Sequence, residues 1–362
     1  MTSSPPVGTT SGAVSEAVSR VEGILASFWS TPDERETRTA KVRASTLNYV
    51  VLCAPQDADS YRDAAEKLSE THGGRTLLLT MSGRIAPWDL VPDVHAVCRI
   101  DNAVPICYDR VDLTFGAVAA SRAQSVVATL ALPELPTVVE IGAGAPAPLI
   151  DNVAGKFDRL IVDSARTSAQ TIVKVLQRSK CPVADRAMVR TYAWRELTAR
   201  FFDGAAPALK AIRRVTVART DWHAGGHEAG GSAQDPANLI FAWLASRLGW
   251  IFTGGSTAKD PSGATVELVV EPDGRAELGP GQLTAVRIVT ALGGESLECA
   301  LERVDSAPAV RWQMRGARSA DREHALGYHD ETWVAVKAID STEGDGVTRA
   351  TLLAMADREA HR

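Results

Sequence analysis

Long hydrophobic runs are missing from this sequence. No stretch of the 362 residues reaches the ~18 consecutive apolar positions that span a bilayer, so an integral helical membrane protein is excluded. A basic excess is missing too. Lys and Arg number 39 against 44 Asp and Glu, a net charge of −5, which argues against a generic nucleic-acid coat. The N-terminus has no positively charged start leading into an apolar stretch, so no secretory signal is expected. Cysteine is scarce. The five (Cys53, Cys98, Cys107, Cys181 and Cys299) are scattered and odd in number, which suits a reducing cytoplasm better than a disulfide scaffold. Also absent are a nucleophile elbow, a phosphate-binding loop ending in Lys-Ser/Thr, and a His-Glu-x-x-His. The expectation is therefore a protein with no catalytic residues, metal ligands or cofactor.

What is present has the composition of a soluble globular chain, 45% hydrophobic and 23% charged. At roughly 150 residues per domain the length allows about two domains. Residues 1–15, rich in Ser, Thr, Pro and Gly, read as a disordered tail. Residues 16–41 read as a helix, with Val18, Val21, Leu25 and Phe28 at helical spacing, and then a linker. From 42 to 163 short Val- and Leu-rich runs alternate with helical stretches. They predict an α/β domain with a mostly parallel or mixed sheet and an antiparallel edge. Residues 164–362 predict an α+β domain. Its strongest helix is Ala237 to Trp250, followed by runs over Thr265 to Arg315 that read as an antiparallel meander. Met188 to Tyr192 reads as a strand or an extended lead-in.

Several strings could carry chemistry. Val138-Val139-Glu140-Ile141-Gly142-Ala143-Gly144 runs from an apolar strand into Gly-x-Gly, as S-adenosylmethionine methyltransferases begin, and Asp163 closes the next strand where a ribose could bind. The competing reading is a strand ending in a tight loop stiffened by Pro146 and Pro148. His223 and His227 are four apart, but Gly225 and Gly226 lie between them, so an exposed loop through Gln234 is preferred to a metal site. Cys98 and Cys107 fall on neighbouring strands and could face each other. Outside a Cys-x-x-Cys they read as buried and inert, as do Cys53, Cys181 and Cys299. Finally, Trp194 and Arg195 open one helix, while Trp243, Arg247 and Trp250 share another. Trp and Arg dominate protein interfaces, although these tryptophans could equally be core.

The ordered strings of the chain resemble one family. Arg43-Ala-Ser-Thr-Leu-Asn48, Arg75 to Leu79, Ile106 to Leu113, Ser125 to Pro136, Asp158 to Ser164, Trp194-Arg-Glu-Leu with Phe202-Asp203, and Ala242 to Trp250 look like the glucose-6-phosphate dehydrogenase assembly proteins, known as OpcA. The match covers about residues 43–250. It implies a non-catalytic cytoplasmic assembly factor or allosteric activator that binds glucose-6-phosphate dehydrogenase at the head of the oxidative pentose phosphate pathway. The charge balance and the lack of long apolar runs add the expectation of no nucleic-acid and no membrane partner. The chain departs from the family at Thr137 to Gly144, where members carry a Trp-rich stretch. The expected partner-binding residues are Trp194, Arg195 and Arg247 from composition, and Arg43 and Asn48 from the resemblance. The alternative expectation is a methyltransferase using the loop at 140–144.

Overall fold

The computed structural model describes residues 10–30, 42–43, 45–101, 104–153, 157–203, 205–221, 235–275, 278, 281–292, 295–305, 307–316, 319–327, 330–341 and 345–361. Most of the expected tail, the linker from 31, and the loop with His223 and His227 lie outside the described residues. The chain forms a mixed α/β structure of two compact units: Met1–Val162 with Val175–Val183, and Asp163–Lys174 with Ala184–Arg362.

Unit 1 begins with helix α1 (Thr10–Ser30), which buries Val14, Ala17, Val21 and Leu25 along one stripe. Next come β1 (Val42–Arg43), β2 (Leu47–Leu52), α2 (Ala58–Leu68), β3 (Gly74–Met81), β4 (Leu90–Asp101), β5 (Val104–Phe115) and α3 (Ala123–Leu130). After them come β6 (Thr137–Ile141), α4 (Ala147–Val153) and β7 (Arg159–Val162), and then α5 (Ala169–Arg178) and β8 (Val183–Asp185), which the division between the units cuts. The sheet order is β1-β5-β3-β2-β6-β7-β8, with β4 antiparallel on β5. The ladders from β5 through β3, β2 and β6 to β7 are parallel. All six residues of β2 are buried, the unbroken apolar signature of a strand covered on both faces.

Gly74 opens β3 opposite Leu47, and it is glycine because a Cβ there would meet the Leu47 carbonyl oxygen at 1.9 Å. Several expectations needed correction. Pro146 and Pro148 do not prevent a helix; α4 starts at Ala147, because proline is tolerated in a first turn whose N–H groups have no partner. Cys98 and Cys107 are not inert thiols. The β4–β5 register sets them directly opposite, 4.0 Å apart at Cα, and they form a disulfide. Cys53 and Cys299 are buried free thiols, whereas Cys181 is only half-buried.

Unit 2 contains α6 (Arg186–Arg190), α7 (Tyr192–Arg200), α8 (Ala206–Leu209), β9 (Ile212–Thr220), α9 (Pro236–Leu248), β10 (Ile251–Gly254), β11 (Thr257–Lys259) and β12 (Thr265–Asp273). It continues with β13 (Leu283–Leu292), β14 (Glu295–Arg303), β15 (Ala309–Arg315), β16 (Ala320–Ala325), α10 (Glu331–Asp340) and α11 (Asp345–Ala360). The sheet order is β10-β11-β12-β9-β13-β14-β15-β16. The expected meander is present, but β12 runs parallel to β9. Val215, Val217, Leu268, Val286, Ile288 and Leu301 form the core face, packed with Leu197, Ile240, Phe241 and Leu244. The end signals of α9 explain its strength in sequence. The Asp235 carboxylate accepts from the Ala237 N–H at 2.9 Å, Pro236 opens the first turn, and Gly249 closes the helix at φ 69°. The stretch Met188 to Tyr192 is helical rather than extended, because Asp185 caps α6 through the Ala187 N–H at 3.2 Å.

A buried ion pair ties unit 1 together. Arg75 Nε and Nη2 donate to Asp109 Oδ2 at 3.1 and 2.9 Å, while Trp29 of α1 donates to Oδ1 at 2.9 Å. Asp109 has no solvent exposure. Replacing Arg75 with Ala strands that carboxylate, so Arg75→Ala should lower unfolding stability by about 3–5 kcal/mol. Urea denaturation of both proteins checks this, and an unchanged midpoint contradicts it.

Candidate functional site

Two places in the structure invite a functional reading. The first lies where the chain leaves the sheet in opposite directions from β2 and β6. Counted from β2, the order of the parallel strands β5-β3-β2-β6-β7 is 3-2-1-4-5, with β8 beside β7, and such sheets take ligands outside the carboxyl ends of the first and fourth strands. Here those ends are stitched together. The Gly142 N–H donates to the Leu52 carbonyl at 2.8 Å, and the Ala54 N–H to the Ala143 carbonyl at 3.1 Å. The turn after β2 reads Cys53-Ala54-Pro55-Gln56-Asp57 in place of a Gly-x-Gly-x-x-Gly. The turn after β3 reads Ser82-Gly83-Arg84, without the acidic residue that would hold the 2′-hydroxyl of an NAD ribose, although Arg84 is of the type that takes a 2′-phosphate. It is the stitched turn after β2 that does not fit the pyrophosphate of a dinucleotide. Burial pushes the Cys53 thiol up to about 12, with Asp57 adding to the rise, so it is no nucleophile at neutral pH.

The second place is a buried charge network in unit 2. Asp163, the expected ribose carboxylate, accepts two bonds from Arg190, at 2.9 and 2.8 Å, and is 2% exposed. Arg190 also bridges to Glu331 of α10 at 2.9 Å. Burial would raise Asp163, but the Arg190 guanidinium, helped by Arg186 and Arg166, outweighs it and holds the carboxyl below its usual range. Asp185 accepts from the Ser164 N–H at 2.8 Å and the Ser164 hydroxyl at 2.7 Å. Burial, and then the charge of Asp163, push it up to about 6. Each carboxylate is thus already matched to internal donors.

One group of metal-type ligands gathers on β4 and β5: Asp93, His95 and Asp112. Its charge is already compensated. Arg62 Nε is 2.6 Å from Asp112 Oδ2, and Arg110 Nε is 3.4 Å from Oδ1.

Three of the five expected partner-binding residues, Asn48, Trp194 and Arg195, are buried. Asn48 has no exposure; its amide donates to the Leu132 carbonyl at 2.9 Å and accepts from the Leu132 N–H at 2.8 Å, pinning the loop before β6. Trp194 and Arg195 are each 5% exposed. Trp194 belongs to the core of unit 2, and Arg195 donates to the Met188 carbonyl at 2.8 Å. The physical reason is helical phase, since both lie on the inward side of α7. Arg43 lies in β1, and its side chain is outside what is described. Arg247 is exposed on α9. What composition alone did not reveal is the ladder around Arg195. Its guanidinium lies 5.9 Å from the Tyr192 ring and 5.9 Å from the Trp243 ring. Tyr192 is 50% exposed, and Arg247 follows Trp243 by one helical turn.

Unit 1 therefore has the framework of the doubly wound, dinucleotide-binding class, with the crevice between its β2 and β6 ends shut. The chain belongs to the glucose-6-phosphate dehydrogenase subunit family: the N-terminal domain model of that family matches residues 65–179 and the C-terminal domain model residues 181–351. Among curated proteins no sequence matches. Solved structures show loose likenesses. An oxidoreductase from Sinorhizobium meliloti matches at 11% identity over 88% of this chain and 98% of its own, with a TM-score of 0.45. Biliverdin reductase from Synechocystis sp. PCC 6803, solved with biliverdin and NADP+, matches at 9% identity over 85% of this chain and 96% of its own, with a TM-score of 0.44. Neither likeness is close enough to assign an activity. Among the described residues no helix is long and apolar enough to cross a membrane.

Asp185 gives a pH prediction. Its folded value, about 6, lies above the ordinary 3.8, so between those values the folded state holds a proton that the unfolded state has released. This contribution therefore stabilises at low pH and is lost as pH rises through 4 to 6, by about 3 kcal/mol in all. Asp185→Asn removes it. Thermal unfolding followed from pH 4 to 7 should show wild type losing stability relative to the variant as pH rises, and parallel profiles contradict the assignment.

Proposed function

We propose that this chain is a non-catalytic partner of glucose-6-phosphate dehydrogenase that binds the enzyme and promotes its assembled, active form in the oxidative pentose phosphate pathway. The observation that carries the reading is the pair of family models covering most of residues 65–351 in order. The shut crevice and the internally matched carboxylates support it, because they leave those two places without a free acid–base pair. The means is linkage: a protein that binds one conformation or oligomer of an enzyme better than another shifts the population by its differential affinity, usually by about 1–3 kcal/mol.

The contact surface we assign is the exposed Tyr192 edge with Trp243 and Arg247. Arg195 acts beneath it as the strut that stacks on both rings. Tyr, Trp and Arg are the side chains that carry most interface energy. Trp194 and Asn48 serve this surface and the sheet from inside, and Arg43 belongs to the β1 edge.

The test is the initial rate of glucose-6-phosphate dehydrogenase from the same organism, titrated with this protein across glucose-6-phosphate concentrations. A saturable rise in rate or fall in apparent KM is expected; a flat response at micromolar protein sinks the activator reading. Tyr192→Ala and Arg247→Ala should each raise the half-saturating concentration about tenfold with an unchanged melting temperature. Unaltered titrations would place the contact elsewhere.

A further inference from the structure

We propose that Tyr61 occupies the ligand crevice of unit 1, so that this half of the molecule is a dinucleotide-binding framework converted into a closed structural body that takes neither a dinucleotide nor S-adenosylmethionine. The inference does not depend on the activator reading.

Tyr61 lies on α2, the helix that follows β2, and is 4% exposed. Its hydroxyl accepts from the Ala143 N–H at 2.9 Å. A Cβ built on Gly142 would meet the Tyr61 Cζ and hydroxyl at 2.6 Å and the Leu52 carbonyl oxygen at 2.9 Å. The tip of the phenol therefore rests at the junction of the β2 and β6 ends, the point where a parallel sheet of this order receives phosphates. Gly142 is glycine so that the ring can come this close. Gly144 takes φ +59°, and a Cβ there would lie 2.9 Å from the Ala54 Cβ. Both glycines of the Gly-x-Gly serve packing between two loops, not the approach of a ligand.

The donors that would cradle phosphates are also used. Among Cys53 to Ala58, the N–H of Cys53 goes to Leu79, that of Ala54 to Ala143, that of Asp57 to Ala54 and that of Ala58 to Pro55. Pro55 has no N–H to give. A phosphate gains its affinity at such a turn from free backbone N–H groups. Here it would find one, Gln56, beside the Asp57 carboxylate, whose Oδ2 is 3.9 Å from the Cβ position of Gly144. The charge of that neighbour is the wrong sign for an anion.

The experiment uses the full chain in three forms. Isothermal titration of wild type with NADP+, NAD+ and S-adenosylmethionine at about 1 mM should give no saturable heat, and melting should not shift, whereas a site filled at 100 times its Kd would raise the melting temperature by several degrees. Tyr61→Phe keeps the ring and strips the acceptor from the Ala143 N–H; it should lower the melting temperature by about 2–4 °C. Tyr61→Ala empties the crevice, and p-cresol, the free side chain of tyrosine, should raise the variant's melting temperature without affecting wild type. Saturable binding of any of these three compounds to wild type overturns the proposal. So does a Tyr61→Phe protein as stable as wild type. Should Tyr61→Ala fail to fold, the wild-type titration and the Tyr61→Phe melt still decide.

Discussion

The joint between β2 and β6 is the constraint on which unit 1 is built. β2 lies inside the sheet with all six residues buried, so its polar atoms must find partners within the protein. At one end Asn48 ties the loop before β6 through its amide. Midway, the Tyr49 hydroxyl donates to the buried Glu140 of the neighbouring strand. At the other end the Leu52 carbonyl takes the Gly142 N–H and Tyr61 takes that of Ala143. A parallel sheet that binds a cofactor leaves this last point open. Here the Leu52 carbonyl, the Ala143 backbone and the Tyr61 hydroxyl occupy it.

Arginine set against the interior is the recurring device in both units. Arg75 pairs with the buried Asp109, the half-buried Arg190 with the buried Asp163, and the buried Arg358 of α11 reaches the Asn238 amide of α9 while lying 4.7 Å from the Phe241 ring. A planar fork of donors can meet a carboxylate in two bonds or stack on an aromatic face, which is what makes such a large charged group tolerable inside. Removing Arg75 or Arg190 leaves a buried carboxylate uncompensated, so these two pairs fix geometry more than they add net stability. The same device explains why Arg195 and Trp194 look like interface residues in the sequence and are interior in the fold.

Much of the architecture was legible before any coordinates. The Val- and Leu-rich runs at Leu47, Arg75, Thr137 and Arg159 are strands because uninterrupted apolar segments fit a sheet covered on both faces. Ala237 to Leu248 is a helix with its cap, its Pro and its terminal Gly all in place. Two helix caps went unread, and one pairing was decided by strand register. Met188 is helical because Asp185 caps the turn before it. α10 went unread although Asp330, which accepts from the Trp333 N–H at 2.8 Å, is an ordinary capping signal. Cys98 and Cys107 became a disulfide because of strand register, which spacing alone does not set.

The sequence by itself determined the class of the chain: a mixed α/β protein of about two domains, with ordered strings that mark its family. The class follows from composition and from periodicity, which act over a few residues; the family follows from the resemblance of those strings. Tertiary structure alone decided the meaning of the conspicuous residues. Gly142 and Gly144 are glycines because Tyr61 and Ala54, more than 80 residues earlier, press against them, not because a ligand approaches. Trp194 and Arg195 are interior, and Tyr192 is exposed, because of the phase in which α7 meets its core. Whether a side chain serves packing or contact depends on what faces it, and that neighbour is usually far away in sequence.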